Sequence, residues 1–222
     1  MPQPLSSRDK ILDVAEALFA RRGYTGVGLR ELADVTGLGK SSLFHHFRGK
    51  AELYCVVVAR ALERIEAGVA PVFESDAPPG ERLERLVGAL VDQLAEQPTT
   101  ARLLLRALFE EEEFAADPPA EAARAEAIVA SLVTRMQALL HEGVEAGVFR
   151  RASSAHTAQT LIGATVYHFA SAEVGEGILG KPLFSAEAVA ERKAELIALL
   201  RHGLAAPASP SPQHRGDPPW RS

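Results

Sequence analysis

The chain has 222 residues, 47% of them hydrophobic, and a formal net charge of −5, enough sequence for a small domain and a larger one, each with a buried core. Its one cysteine, Cys55, excludes an intrachain disulfide framework and fits a buried small hydrophobe in a reducing, cytoplasmic compartment. No run approaches the ~20 apolar residues of a membrane span, and residues 1–7 are polar and Pro-containing, so neither a leader nor a membrane partner is expected.

The first helix is expected to start at Ser6 or Ser7, with Ser6 and Asp9 as a capping pair, and to end at Gly23. Its inward face is Ile11, Val14, Ala15, Leu18 and Phe19. Leu29, Leu32 and Ala33 then recur at i, i+3, i+4, which predicts a short amphipathic helix between Gly28 and Gly37. After a turn, a third helix is expected near Gly39 or Lys40, with Leu43 and Phe47 pointing inward. Lys40, Ser41, Phe44 and His45 share its outward face. Two short helices joined by a Gly-containing turn, the second rich in outward donors, form a helix-turn-helix over about 28–47. Gly39-Lys40-Ser41 also ends like a phosphate-binding P-loop, but Asp34 occupies the first glycine position and no strand precedes it.

A fourth helix is expected over about 51–69, then a loop at 71–80 (PVFESDAPPG). Further helices follow at about 83–97, 99–114, 120–147, 153–174 and 185–203, with a turn at 147–149. Strand signals are nearly absent, so the class is all-α. Residues 205–222 are Pro/Ser-rich and read as a disordered tail. The implied domains are a DNA-binding head over 5–65, a connecting helix end and loop over 66–80, a helical body over 81–204, and the tail. Through Lys50 eight Lys/Arg stand against five Asp/Glu, and beyond it sixteen against twenty-four. A basic head on an acidic body directs one end of the molecule toward phosphate.

The stretches KILDVAEALFARRGY, LRELADVTGL, SSLFHHF and K-x-x-L at 50–53 resemble the DNA-binding domain of the TetR family of transcriptional regulators, over residues 7–65. The resemblance implies a three-helix head whose third helix reads DNA, a fourth helix leading out of it, and a helical ligand-binding and dimerisation body. The sequence departs from the family pattern in four places. Phe44 stands where tyrosine is usual, which removes a phenolic hydrogen bond to phosphate; Val27 and Gly28 replace a Ser/Thr pair. Gly39 replaces a frequent serine N-cap, and Ser41 stands where glycine is common. These departures are expected to alter which operator is read. The function implied is a sequence-specific DNA-binding regulator: a homodimeric repressor on a pseudo-palindromic double-stranded operator, released by a small-molecule ligand. The alternative is a helical protein-interaction module without specific DNA binding. Lys40, Ser41, Ser42 and His45 are the candidates for base edges, with Phe44 on a sugar or thymine methyl; Arg30, His46 and Lys50 are the candidates for phosphates.

In the body, Leu104, Leu108, Met136 and Phe169 are candidate lining of an apolar pocket between about 81 and 147, closed by the helix from about 153; a solid core would give the same periodicity. Ala158, Leu161, Ile162, Thr165, Val166 and Phe169, with Val189, Leu196, Ile197, Leu199 and Leu200 on the last helix, form stripes for either an intramolecular core or a two-fold four-helix bundle; the resemblance implies the bundle. Arg102 and Arg106 are expected to face outward, toward Glu110 or solvent, because burying two unpaired arginines is costly; the alternative is that they face inward and clamp an anionic ligand. His141 and Glu145 have chelating spacing but no second ligand pair, and no catalytic triad or nucleophile motif occurs. No metal, cofactor or enzymatic activity is therefore expected.

Overall fold

Ser6 fixes the start of the first helix. Its hydroxyl accepts from the Asp9 N–H at 3.1 Å and donates to the Asp9 carboxylate at 2.6 Å, and α1 (Ser7–Arg22) runs to Gly23. The computed structural model describes residues 6–109 and 119–206, apart from the side chain of Lys40. The expected helix end at 110–114 and the tail from 207 lie outside the described residues. Ile11, Leu12, Ala15 and Phe19 of α1 are buried, while Val14 packs at the margin of that core.

Next come α2 (Leu29–Thr36) and α3 (Lys40–His46). Gly37, at φ 67°, makes the turn between them in the left-handed region that a side chain disfavours. Its neighbour Leu38 donates to the Ala33 carbonyl at 3.2 Å, which satisfies the end of α2. The next helix, α4 (Lys50–Phe73), is longer than the sequence pattern predicts and carries Pro71 in its last turn. There the ring forfeits one bond to a carbonyl four residues back, yet Glu74 still donates to the Ala70 carbonyl at 3.2 Å. The loop expected at 71–80 therefore shrinks to 74–78, because α5 (Pro79–Glu96) takes Pro79 into its first turn, where a missing N–H costs nothing.

The body continues with α6 (Thr100–Phe109) and α7 (Ala120–Glu145). The single helix expected over 153–174 divides into α8 (Ser154–Ala170) and a short α9 (Glu173–Leu179). The break falls at Ala172, whose φ of 41° no helix accommodates. Finally α10 (Ala186–Leu204) starts at Ser185, whose hydroxyl accepts from the Ala188 N–H. Arg150 donates to the Leu204 carbonyl and Ala206 to the Val148 carbonyl, tying the segment after α7 to the end of α10. Among the described residues there is no strand, only an isolated bridge between Phe149 and Ala205.

Two apolar cores result. One fills α1–α4 and extends through Leu103, Ala125 and Ile128 into the body; the other lies among α4, α5, α7, α8 and α10. Leu104 and Leu132 touch both. The stripe read as a dimer seam is largely intramolecular: Ala158, Leu161, Thr165, Phe169 and Leu196 are buried within one chain. The apolar residues left exposed there are Ile162 and Tyr167 on α8, Val174, Ile178 and Leu179 on α9, and Leu199 on α10.

Candidate nucleic-acid interface and body cavity

Leu43 and Phe47 anchor α3 to the head core, at 0% and 2% exposure. A seven-residue helix is too short to hold itself in water, so these two side chains fix both its existence and its orientation. Ser41, Phe44 and His45 are thereby turned to solvent, and Ser42 and His46 are half-buried. The His45 and His46 rings meet edge to face at 5.4 Å. Arg30 is exposed in the first turn of α2. The structure thus brings Ser41, Phe44 and His45 onto one accessible face, with Ser42 and His46 at its flanks. The Lys40 side chain lies outside the described residues.

Lys50 has a more specific setting than expected. Its ammonium sits 4.1 Å from the centre of the Tyr24 ring, and Tyr24 packs edge-on against Tyr54 at 5.2 Å. This cation–π contact places the charge at the first turn of α4. Just before α4, the Arg48 N–H donates to the Glu52 carboxylate of its first turn at 2.5 Å. Two further cations flank α3: Arg48 is exposed in the link to α4, and the Arg8 guanidinium lies 5.4 Å from the Phe47 ring centre. Neither Arg8 nor Arg48 shares the helical period of α3, so the sequence pattern of that helix does not point to them.

A buried carboxylate joins head to body. Glu16 on α1 is 4% exposed and accepts from Arg64 at 2.7 Å, Arg60 at 3.3 Å, and the hydroxyls of Thr99 and Thr100 at 3.2 Å each. It thus links α1 to α4 and to the start of α6. The period of α1 places Glu16 on the same face as Leu12, Ala15, Phe19 and Ala20, but its partners are more than forty positions away. Arg106 corrects the outward expectation for the body arginines. Its guanidinium donates to the Ala20 carbonyl at 3.0 Å and the Arg21 carbonyl at 3.2 Å, where the α1 dipole favours a cation. Arg102 instead lines a crevice of about 420 Å³ between α1 and α6, beside Arg21.

The body contains an inner cavity of about 120 Å³ and, adjoining it, an open groove of about 870 Å³ between α4, α6, α7 and α8, along which Leu108, Val129, Ile162 and Tyr167 are exposed. Leu62, Leu104, Val129, Val133, Ile162 and Val166 line both. Leu104 therefore lines both chambers, Met136 the inner and Leu108 the outer. Phe169 lines neither. It is 1% exposed and packs on Phe184, with ring centres 5.6 Å apart, so it is a core residue. The sequence reading began the pocket at about 81 and missed α4, whose Leu62, Ile65 and Val69 form one wall. Elsewhere on α8, His168 has its pKa pushed down to about 4, first by burial and then by the nearby Arg192. Among the described residues no three His, Cys, Asp or Glu side chains gather as metal ligands.

Residues 11–55 match the family described as bacterial regulatory proteins, tetR family, and residues 79–200 match the tetracyclin repressor-like C-terminal domain. The chain belongs to the TetR family. Among curated TetR-type relatives, the transcriptional activator FasR of Mycolicibacterium smegmatis is 32% identical over 97 residues, 44% of each chain. The transcriptional repressor KstR2 of Mycobacterium tuberculosis is 36% identical over 81 residues, 36% of this chain and 40% of its own. The matches thus span less than half the length of these relatives. Among solved structures, that of the ketosteroid regulator KstR2 superposes with a TM-score of 0.73 at 21% identity, covering 91% of this chain and 97% of its own. AibR, solved with isovaleryl coenzyme A and operator DNA, gives 0.70 at 16% identity, covering 87% of this chain and 97% of its own. At such identities the superpositions show the TetR fold. Among the described residues no helix of this TetR-family chain is long and apolar enough to cross a membrane.

Proposed function

We propose that this chain is a cytoplasmic, non-enzymatic, sequence-specific transcriptional regulator, a homodimeric repressor released from its operator by a small-molecule ligand. The observation that carries the reading is the exposed face of α3, set by the buried Leu43 and Phe47 in a TetR-type head. Lys40, Ser41, Ser42 and His45 contact base edges in the major groove, and Phe44 packs on a sugar or thymine methyl. Arg30, His46 and Lys50 hold phosphates; Arg8 and Arg48 add charge at the flanks of the same face.

One head makes too few base contacts for specificity, so two copies on half-sites about 34–36 Å apart supply it. Tyr167 and Leu199, exposed on α8 and α10, together with Val174 and Ile178 on α9, provide the apolar surface for pairing. A ligand in the body presses on α4, which walls the cavity through Leu62, Ile65 and Val69 and begins immediately after α3. Glu16 and Arg106 bind α1 to α4 and α6, so the head follows α4 as a unit. Ligand binding then shifts the population toward a head separation that no longer fits successive major grooves. AibR, whose solved structure holds isovaleryl coenzyme A and operator DNA, supports a combined ligand and DNA reading here.

A salt titration of binding to genomic fragments tests this. The regulator selects a defined fragment, and its affinity falls linearly on a log–log salt plot. Equal binding to all fragments, or none at any salt, would leave a helical interaction module as the better reading.

A further inference from the structure

We propose that the two-chambered cavity takes an amphiphile with an uncharged or cationic head and a slim apolar chain, and that it discriminates against carboxylates and phosphates. The inference rests on the reading of this cavity as the effector site and adds the chemical class of the effector.

The inner chamber sets the shape of the tail. At about 120 Å³ it is smaller than the ~150 Å³ engineered void that admits benzene, so a chain end fits and a ring does not. Its one polar lining residue is Thr165, whose hydroxyl already donates to the Leu161 carbonyl at 2.8 Å. A polar group pushed into this end would lose its water and find at most one acceptor, the Thr165 hydroxyl oxygen, in an otherwise apolar lining. The polar end of a ligand therefore stays in the outer chamber.

The outer chamber sets the charge. Its polar lining is Glu126, Thr134, Gln137 and Tyr167, and no Lys, Arg or His is among its described lining residues. The arginines of α7 are engaged elsewhere: Arg124 pairs with Glu63 at 2.7 Å, and Arg135 lies 4.4 Å from the centre of the Phe73 ring. An anionic head entering here meets no cation and faces the Glu126 carboxylate, whereas hydroxyl or ammonium heads find acceptors in Glu126, Gln137 and Thr134. Gly163 keeps the outer chamber wide on the α8 side, since a Cβ there would meet nothing within 4 Å.

The experiment uses the full chain with three matched probes, n-octanol, n-octylamine and octanoate, each below its aggregation limit at neutral pH. Thermal midpoint and operator release by fluorescence anisotropy are read together. Octanol and octylamine raise the midpoint and release the operator, and octanoate at equal concentration does neither. Glu126→Lys weakens octylamine by about two- to fivefold, strengthens octanoate comparably and leaves octanol unchanged, a reversal that a purely structural role would not produce. Val129→Trp, at a position that lines both spaces, abolishes the response to octanol and octylamine while operator binding persists. Octanoate matching octylamine on the unmodified chain, or no stabilisation by any of the three, would overturn the proposal. Failure to bind an operator without probe would count against the regulator reading instead, because the midpoint series still ranks the head groups.

Discussion

The head and the body of this protein bury apolar side chains with the same helical periodicity but differ in what the packing leaves over. In the head, α1–α3 and the start of α4 close around Phe19, Leu32, Leu43 and Phe47, all at or below 2% exposure, and the functional groups are what remains outside. In the body, five helices leave an inner chamber of about 120 Å³ that opens beside a groove of about 870 Å³, and the functional surface is a recess between helices. A solid core holds a short recognition helix at a fixed angle. A hollow one can change shape when filled. Glu16 and Arg106 join the two, so that a change in the second can move the first.

That contrast can be broken at the core of the head. Phe47→Ala is expected to cost about 3–5 kcal/mol, read by urea denaturation, and to abolish operator binding because α3 loses its anchor. A truncation at the chamber wall, Val133→Ala, is expected to cost less, since that side chain already borders a void; an equal cost would show that the body is packed as tightly as the head.

The junction comes next. Glu16→Ala leaves Arg60 and Arg64 without their shared carboxylate. Removing one partner of a buried pair costs about 3–5 kcal/mol; with the arginine side chains 25% and 29% exposed, about 1–3 kcal/mol is expected here. The variant should also uncouple ligand from DNA: probes still raise the midpoint, but operator release weakens. Unchanged release would mean that the signal bypasses α1.

Within the head, Lys40→Ala is expected to change preference at one or two base positions, at about 1–3 kcal/mol if the contact is bidentate to guanine. Lys50→Ala should lower affinity alike on all sequences and reduce the salt slope by about one unit. Uniform loss from both would reduce Lys40 to a phosphate contact.

A further effect belongs to the body and to pH. Since His168 is held near 4 in the folded chain against an ordinary 6.5, the unfolded chain takes up its proton first on acidification. Stability from this group is full above about 6.5 and is lost as pH falls toward 4. His168→Gln should flatten the midpoint over that interval, and an unaltered slope would assign it to other groups.

The sequence was most legible where function lies on the surface of a local element. Leu43 and Phe47 inward with Ser41, Phe44 and His45 outward follows from a 3.6-residue period, and the structure repeats it. It was least legible where distant segments meet. Glu16 shares the buried stripe of Leu12, Ala15 and Phe19, but its partners Arg60, Arg64, Thr99 and Thr100 come from segments no local pattern connects to it. Periodicity assigned Phe169 to a cavity and could not see that Phe184 covers it, nor that α4 supplies a cavity wall. Pro71 read as a loop because a proline in the last turn of a helix forfeits too little to end it.

The most direct test of this division between a surface that reads DNA and an interior that takes ligand is a paired measurement on two variants. Operator preference and probe-induced midpoint shift are recorded for Ser41→Ala/His45→Ala and for Val129→Trp. The account predicts that the first changes base preference and keeps the octylamine shift, while the second keeps base preference and loses the shift. Loss of both properties in either variant would contradict it.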